Sequence, residues 1–224
     1  MNRKIALKAQ NLHKTFYHPI KASIIRGIDL TVHQGEAVAI TGRSGEGKST
    51  LLQLLGALET PCRGVLEIAE QPVTRLNKSK IRNKHIGFIF QFFHLLEDYT
   101  ALENTLMPAC IARRDISKGS EAYQRGQELL EHVGLTERAH FNAKLLSGGE
   151  KQRVAIARAF CNDPDIIFAD EPSGNLDKET AAQIHTLLLD VARRGNKSIV
   201  IVTHDPDLAG LCHSNYILQN GLLI

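Results

Sequence analysis

A phosphate-binding loop is the feature that most constrains this chain. Residues 42–50 read Gly-Arg-Ser-Gly-Glu-Gly-Lys-Ser-Thr and match the pattern G-x-x-x-x-G-K-[ST] in full. The loop follows an apolar segment at 36–41, typical of a strand, and leads into an apolar segment at 48–55, typical of a helix. Loop amides and the N-terminus of that helix then converge on one anion site, and a polyphosphate is the expected occupant.

The side chains of the loop have separate expected tasks. Lys48 is expected to reach the β- and γ-phosphates, and the Ser49 hydroxyl to ligate a Mg²⁺ ion that bridges the same phosphates. Glu46 places a carboxylate where a small residue is more usual, and we expect it to point outward. The loop residues predicted to bind the nucleotide are Gly42, Arg43, Ser44, Gly45, Glu46, Gly47, Lys48, Ser49 and Thr50.

Composition favours one compact unit and excludes several classes of protein. The 224 residues are 43% hydrophobic and 23% charged, as in ordinary globular proteins. The net charge of +3 comes from scattered basic residues, which argues against nucleic-acid binding. No apolar run approaches the roughly 20 residues of a membrane span, and no signal peptide is evident, so a cytoplasmic location is expected. The four cysteines lack zinc-site spacing and are expected to be reduced and mostly buried.

The pattern along the chain predicts an α/β fold. The N-terminal residues alternate as in strands, with turn signals at His18-Pro19 and Gln34-Gly35, and predict an antiparallel β layer. Helical periodicity from 97 to 146, with expected breaks at Pro108 and Gly134, predicts an inserted helical region. Strands at 166–169 and 199–203 flank a helix at 178–194, which indicates a parallel sheet.

Two adjacent carboxylates follow a buried strand. Asp170 and Glu171 lie where ligands bind in open α/β sheets, at the carboxyl end of the strand. Asp170 is expected to hold the Mg²⁺ ion and Glu171 to polarise the attacking water as general base. Alone, such a pair is also typical of a solvated strand end. The phosphate loop makes the catalytic interpretation much stronger.

Two further side chains are candidates for the same site. His204 follows the 199–203 strand and is predicted to contact the γ-phosphate and orient the water, although a lone histidine is more often structural. Gln91 follows the apolar segment 86–90, and its amide can reach the Mg²⁺ ion and the water. Neither residue is diagnostic by itself.

A second anion site is predicted at Leu-Ser-Gly-Gly-Glu-Lys-Gln, residues 146–152. Ser147 is a good N-cap, Gly148 and Gly149 leave backbone amides open, and a helix predicted at 154–160 points its positive end outward. The chain has one phosphate loop but two elements that can bind a γ-phosphate, the loop itself and residues 146–152. This suggests that the second element completes the site of another subunit. A helix cap without function is the alternative.

Together these segments resemble the ATP-binding subunits of ABC transporters over essentially the whole chain. The phosphate loop, the glutamine-loop residue Gln91, the signature at 146–152, the acidic strand at 166–171, the D-loop at 173–177 and the switch residue His204 occur in the order of that family. The resemblance implies a P-loop NTPase core, 1–91 and 147–224, with a parallel sheet and an antiparallel β layer, and a helical subdomain, 92–146. It also implies ATP hydrolysis.

The resemblance further implies a head-to-tail homodimer that sandwiches two ATP molecules. Each ATP would lie between the phosphate loop of one subunit and Ser147, Gly148 and Gly149 of the other, with Asp177 of the D-loop also at the nucleotide. An aromatic residue should stack on adenine, for which we expect Phe16, or failing that Tyr17.

Subfamily features resemble the LolD-type lipoprotein-releasing ATPases, in a group with macrolide-export and FtsE-type cell-division ATPases. These features are residues 91–96 (Gln-Phe-Phe-His-Leu-Leu), 102–104, 107–108 and 171–177. The resemblance implies a peripheral location at the cytoplasmic face of a bacterial inner membrane, with integral permease partners of the LolC/LolE type. These partners are expected to dock near 91–96 and the helical insertion, although burial of the apolar side chains there is an equally serious alternative.

Three alternatives to lipoprotein release remain at this point. An FtsE-like regulatory ATPase would share the fold and transport nothing. A macrolide or peptide efflux ATPase is also compatible with this chain. A soluble ABC ATPase acting on DNA or ribosomes is improbable, because the chain has neither long coiled-coil insertions nor a second cassette.

Overall fold

The computed structural model describes residues 4–17, 19 and 21–224 and contains two β-sheets with helices packed around them. In chain order the strands are β1 (Ile5–Phe16), β2 (Ala22–His33), β3 (Ala37–Thr41), β4 (Arg63–Ile68), β5 (Gln71–Pro72), β6 (Ile86–Ile89), β7 (Ile166–Asp170), β8 (Ser198–Val202), β9 (Ser214–Gln219) and β10 (Leu222–Leu223). The helices are α1 (Lys48–Leu55), α2 (Lys78–His85), α3 (Ala101–Ile111), α4 (Glu121–His132), α5 (Gly148–Phe160), α6 (Lys178–Arg194) and α7 (Pro206–Gly210).

The N-terminal antiparallel layer is confirmed as a four-stranded sheet in the order β2-β1-β4-β5. The inward side chains of β1 alternate through Leu7 and Ala9 and then shift to Leu12, because the register with β2 is irregular between Ala9 and Leu12. The turn at Gln34-Gly35 follows β2 as predicted. The other predicted turn involves His18, which lies outside the described residues.

The predicted parallel sheet is confirmed and has six strands in the order β10-β9-β3-β8-β7-β6. All pairings in it are parallel except that of β10 with β9. Every residue of β8 and all but Asp170 of β7 are buried, since both faces of the sheet are covered. Parallel pairing places the carboxyl ends of β3, β6, β7 and β8 along the same side of the sheet. The predicted site residues follow these strand ends.

The two faces of this sheet build separate hydrophobic clusters. Ile167 and Ile201 point into a cluster completed by residues of α3 to α6, whereas Phe168 and Val200 point into a cluster completed by α1 and the antiparallel sheet. The helices α3 and α4 therefore share one core with α5, α6 and one face of the sheet. Among the described residues, no helix combines the length and the apolarity that crossing a bilayer would require.

Three details of the sequence prediction are wrong. Pro108 lies inside α3 and does not break it, because the buried neighbours Leu106 and Ala109 hold the helix against the core while the Pro108 carbonyl accepts hydrogen bonds from Asn83 and Asn162. The helix predicted at 154–160 begins at Gly148 instead, because the cap formed by Ser147 starts it there. Cysteines are also less buried than expected, since Cys62 and Cys110 are exposed.

Candidate functional site

The phosphate loop requires glycine at two positions for steric reasons. A Cβ on Gly42 would come within 2.5 Å of the Leu218 carbonyl oxygen, and a Cβ on Gly47 within 2.3 Å of the Ile24 side chain. Gly47 is also the N-cap of α1 and has a φ of 94°, in the left-handed region. No side chain caps this helix, and no acidic residue occupies its first turn, so the N-terminal amides of α1 are available to an anion.

Lys48 and Ser49, at the start of α1, have different partners. Lys48 Nζ donates to the carbonyl oxygens of Gly42, at 2.9 Å, and Arg43, at 3.1 Å. The Lys48 ammonium group therefore lies over the loop itself, where a phosphate would meet it. Ser49 Oγ donates to Asp170 Oδ1 at 3.2 Å, which joins the start of α1 to the end of β7.

Asp170 is a carboxylate in an unfavourable environment. Burial raises its pKa, and the hydrogen bond from Ser49 opposes that rise only in part. The neighbouring carboxylate of Glu171 raises the pKa further, and the ammonium of Lys48 lowers it. Two hard oxygen donors, Ser49 Oγ and Asp170 Oδ1, thus lie together beside the phosphate loop, and none of the described residues forms an ion pair with Asp170. This donor set suits Mg²⁺.

The structure brings Glu171 and His204 into direct contact, which the sequence analysis did not predict. Glu171 Oε1 lies 2.8 Å from His204 Nδ1. The other carboxylate oxygen accepts from the Thr203 hydroxyl and the His204 amide, each at 3.3 Å. The His204 ring is mostly exposed, whereas the Glu171 side chain is only 15% exposed. Sequence reasoning missed Thr203, which lies one residue before His204 and orients the carboxylate.

Gln91 follows β6 and contacts the segment 173–177. Its side-chain amide donates to Asn175 Oδ1 at 3.3 Å, and the Asn175 amide returns a bond to the Gln91 carbonyl at 2.9 Å. Sequence reasoning placed Asn175 in the D-loop without giving it a role. This reciprocal pair fixes the D-loop relative to the glutamine.

An open pocket of about 460 Å³ lies beside the phosphate loop. Its described lining includes Phe16, Gln91, Asp170, Glu171 and, from the phosphate loop, Ser44, Gly45, Gly47, Lys48, Ser49 and Thr50. His204 is not among these described lining residues but lines a neighbouring pocket that shares Glu171. Phe16 is 38% exposed, and the ammonium of Lys14 lies over its ring, 5.0 Å from the centroid. Tyr17, the fallback, is more exposed than Phe16.

Glu46 is oriented as expected. Its carboxylate accepts a hydrogen bond of 2.8 Å from the backbone amide of Asn220, in the turn between β9 and β10. This contact keeps the negative charge on the C-terminal hairpin rather than in the pocket.

The signature residues form the first turn of α5 and lie apart from the pocket. Ser147 Oγ accepts from the Glu150 amide at 3.3 Å, and Glu150 Oε2 accepts from the Ser147 amide at 2.8 Å, which is a complete capping box. Ser147 and Gly148 are exposed, and neither they nor Gly149 is among the described residues that line the pocket. A single chain therefore does not bring its signature to its own phosphate loop.

Asp177 has a structural role that the sequence analysis did not assign. Its carboxylate caps α6 by accepting from the Thr180 amide at 3.0 Å and from the Thr180 hydroxyl at 2.7 Å, and these bonds lower its pKa. The D-loop thus ends in a fixed turn at the start of α6.

Comparison with known proteins identifies relatives of this arrangement. The family model described as "ABC transporter" matches residues 25–174. A relative from Protochlamydia amoebophila, named lipoprotein-releasing system ATP-binding protein LolD, is 62% identical over 98% of this chain and 96% of its own. The protein of the same name from Cytophaga hutchinsonii is 46% identical over 97% of this chain and 98% of its own.

Solved structures share the fold. The bacterial ABC transporter cassette MJ0796 is 36% identical, has a TM-score of 0.86 and aligns over 97% of this chain and 96% of its own. That cassette is a dimer, and a dimeric post-hydrolysis state of it holds ADP and Pi.

Proposed function

This chain belongs to the ABC transporter family of ATPases, and from that premise we propose that it powers the release of lipoproteins from a bacterial inner membrane to a periplasmic carrier. The observation that carries the ATPase part of this proposal is the convergence of the phosphate loop, Asp170, Glu171 and His204 at the carboxyl ends of neighbouring parallel strands. The relatives at 62% and 46% identity bear the name of lipoprotein-releasing ATPases and match the chain over nearly its whole length.

We propose that ATP occupies the pocket beside the phosphate loop. Its triphosphate would lie on the loop amides and Lys48, and its adenine on Phe16, which faces the same pocket. We also propose that Arg43 and Thr50 contact the nucleotide. Glu46, which is bonded to Asn220, would contribute to the loop through its backbone amide only.

A Mg²⁺ ion fits this site as cofactor, held by Ser49 and Asp170 with Gln91 as a further ligand. The raised pKa of Asp170 supports this assignment, because a buried carboxylate without a full cationic partner gains most from a divalent ion. When bound, the ion would neutralise charge on the phosphates.

Hydrolysis would then depend on Glu171 and His204. Glu171 would accept a proton from the attacking water as general base, because its carboxylate faces the pocket and is held by Thr203 and His204. The His204 ring, which is mostly exposed, would bond to the γ-phosphate and keep Glu171 oriented. Lys48 would stabilise the charge that develops on the phosphate oxygens.

We propose that a homodimer completes each site. The separation of Ser147, Gly148 and Gly149 from the pocket of their own chain supports a contribution in trans, as do the dimers of the related cassette. The exposed first turn of α5 would offer its amides to the γ-phosphate held by the partner. Asp177, at the end of the D-loop, would lie at the same interface.

The chain would act at the cytoplasmic face of the inner membrane, bound to permease subunits of the LolC/LolE type. We propose that these dock on a helical subdomain formed by 92–146, next to a core of 1–91 and 147–224. Phe92 is 68% exposed and Leu96 is 45% exposed in the segment that follows Gln91, so apolar surface is available there. Docking would then act on the catalytic site through Gln91. No role for nucleic acid is proposed.

Purification of a tagged Glu171→Gln protein from native membranes with ATP and Mg²⁺ tests the proposed partners. Permeases that carry large periplasmic domains, recovered together with lipoproteins, are the expected result. A partner that connects to cell-wall hydrolases would point to an FtsE-like regulatory ATPase, and an efflux permease without lipoproteins to macrolide or peptide export. Either of these results would overturn the lipoprotein assignment.

A further inference from the structure

A buried histidine beneath the D-loop is not accounted for by the proposed mechanism. We infer that His185 is a positioning residue, which holds Ser173 of the D-loop and thereby keeps the Glu171 carboxylate in its reactive orientation. This inference rests on the proposed role of Glu171 as general base.

The backbone at Glu171 needs such support. Its φ is 45°, in the left-handed region that non-glycine residues adopt only at an energetic cost. The Glu171 amide donates to the Val202 carbonyl at 2.9 Å, and the Glu171 carbonyl accepts from the Gly174 amide at 3.0 Å. The turn after Glu171 is therefore held by contacts with the rest of the fold, and a residue that anchors the turn also orients the carboxylate.

His185 supplies the side-chain anchor of this turn. A hydrogen bond of 2.6 Å joins His185 Nε2 to Ser173 Oγ, two residues after Glu171. His185 is 4% exposed and Ser173 is 8% exposed, so water does not compete well for this bond. Because His185 is preceded by the fully buried Ile184 on α6, its ring projects from a helix that is fixed in the core. Pro172 lies between Glu171 and Ser173, and its carbonyl accepts a hydrogen bond from the buried side chain of Gln152.

The same imidazole faces the loop that carries His204. Asp205 Oδ2 lies 3.9 Å from His185 Nε2, and the other oxygen of Asp205 caps α7 through the Asp207 amide. His204, next to Asp205, contacts Glu171 at 2.8 Å. His185 thus lies between Ser173 of the D-loop and the loop that carries His204 and Asp205. Both of these segments contact Glu171. Burial lowers the pKa of His185, against the opposing effect of Asp205 and Asp207, so the ring acts as a neutral hydrogen-bonding group near neutral pH.

Steady-state ATP hydrolysis by the purified full-length chain tests this role. In His185→Phe, kcat should fall by about tenfold while KM for ATP changes less than about twofold, because the displaced turn misorients Glu171 and leaves the phosphate loop intact. His185→Gln, whose amide can reach Ser173, should recover most of kcat. Ser173→Ala should resemble His185→Phe, and the double variant should lose no more than either single variant, since the two side chains act through one bond.

His85→Phe is the matched control. His85 is also buried, and its Nδ1 lies 2.6 Å from Asp165 Oδ2, but this pair sits at the amino-terminal ends of β6 and β7, away from the site. It should lower the melting temperature and leave kcat of the folded protein unchanged. An unchanged kcat in folded His185→Phe, or losses that multiply in the double variant, would overturn the inference. The failure of the proposed function is a separate outcome, seen as normal turnover in Glu171→Gln.

Discussion

At the scale of single residues, Asp170 shows a conflict between stability and function. Burial raises its pKa in the folded state, and the carboxylate of Glu171 adds to that rise. The folded protein therefore binds this proton more tightly than the unfolded chain does. The contribution of Asp170 to the free energy of unfolding of the nucleotide-free protein consequently falls as the pH rises above the ordinary aspartate pKa of about 3.9.

Asp170→Asn should make the nucleotide-free protein more stable and the enzyme inactive. Removal of the buried charge should raise the melting temperature by about 2–4 °C near pH 7, and this gain over the unsubstituted protein should grow as the pH rises above about 4, whereas hydrolysis in the presence of Mg²⁺ should nearly disappear. Differential scanning calorimetry at several pH values measures the first effect. Asp163→Asn is the control. It should not raise the melting temperature, because the Asp163 carboxylate is more exposed and already pairs with Arg125 and Lys197. An equal or lower melting temperature for Asp170→Asn would contradict the account.

At the scale of elements, two helices begin with the same capping box but differ in expected function. In α5, Ser147 pairs with Glu150, and in α3, Thr100 pairs with Glu103. Each cap satisfies helix amides that would otherwise lack partners. Only the box of α5 lies in the signature that we propose binds the partner's ATP.

Ser147→Ala and Thr100→Ala should therefore have similar effects on stability and different effects on turnover. Each substitution should cost about 1 kcal/mol in urea unfolding. Ser147→Ala should also lower kcat on the order of 10–100-fold, because we propose that the Ser147 hydroxyl, in addition to the amides of α5, donates to the γ-phosphate held by the partner, while Thr100→Ala should retain kcat. Equal kcat values for the two variants would mean that the signature cap is purely structural.

Local patterns predicted the elements well where one signal dominated. The phosphate loop with its flanking strand and helix, and the helix at 178–194, follow from motif and periodicity and have the bounds expected to within one residue. The start of α5 was misjudged because Gly148 and Gly149 are poor helix formers, and only the capping box around Ser147 compensates for them. Pro108 was misjudged because tertiary packing holds α3 together.

The parts of the site that could not be predicted depend on contacts between distant segments. His185 was one of ten histidines and carried no sequence signal, since its partner Ser173 is defined only when α6 packs under the D-loop. The bond between Glu46 and Asn220 likewise joins residues 174 positions apart. The direct contact of Glu171 with His204 requires β7 and β8 to be neighbours in parallel register.

At the scale of the whole molecule, the proposed docking surface follows one edge strand of the parallel sheet. The strand order runs from β10 at one edge to β6 at the other, and Phe92 follows β6. The exposed terminal residue Ile224 follows β10, at the opposite edge. These two exposed apolar side chains allow docking to be tested with a matched pair.

Phe92→Glu should abolish binding to the permease without affecting ATP affinity, because it places a charge in apolar surface that docking would bury. Ile224→Glu makes the same chemical change at the far edge and should leave permease binding intact. Co-purification with tagged permease, together with nucleotide titration of each isolated variant, measures both properties. Retention of the permease by Phe92→Glu would place the docking surface elsewhere.

We propose above all that two chains sandwich ATP between them and that Glu171 activates the water that hydrolyses it. The most direct test measures ATP turnover and molecular mass together for Glu171→Gln, with Glu179→Gln, an exposed carboxylate on α6, as control. With ATP and Mg²⁺, Glu171→Gln should form a dimer that holds two ATP molecules, with turnover at least about 100-fold below that of the control. Lys48→Ala should instead lose ATP binding and remain a monomer. A Glu171→Gln protein that hydrolyses ATP at the normal rate, or that binds ATP only as a monomer, would contradict the account.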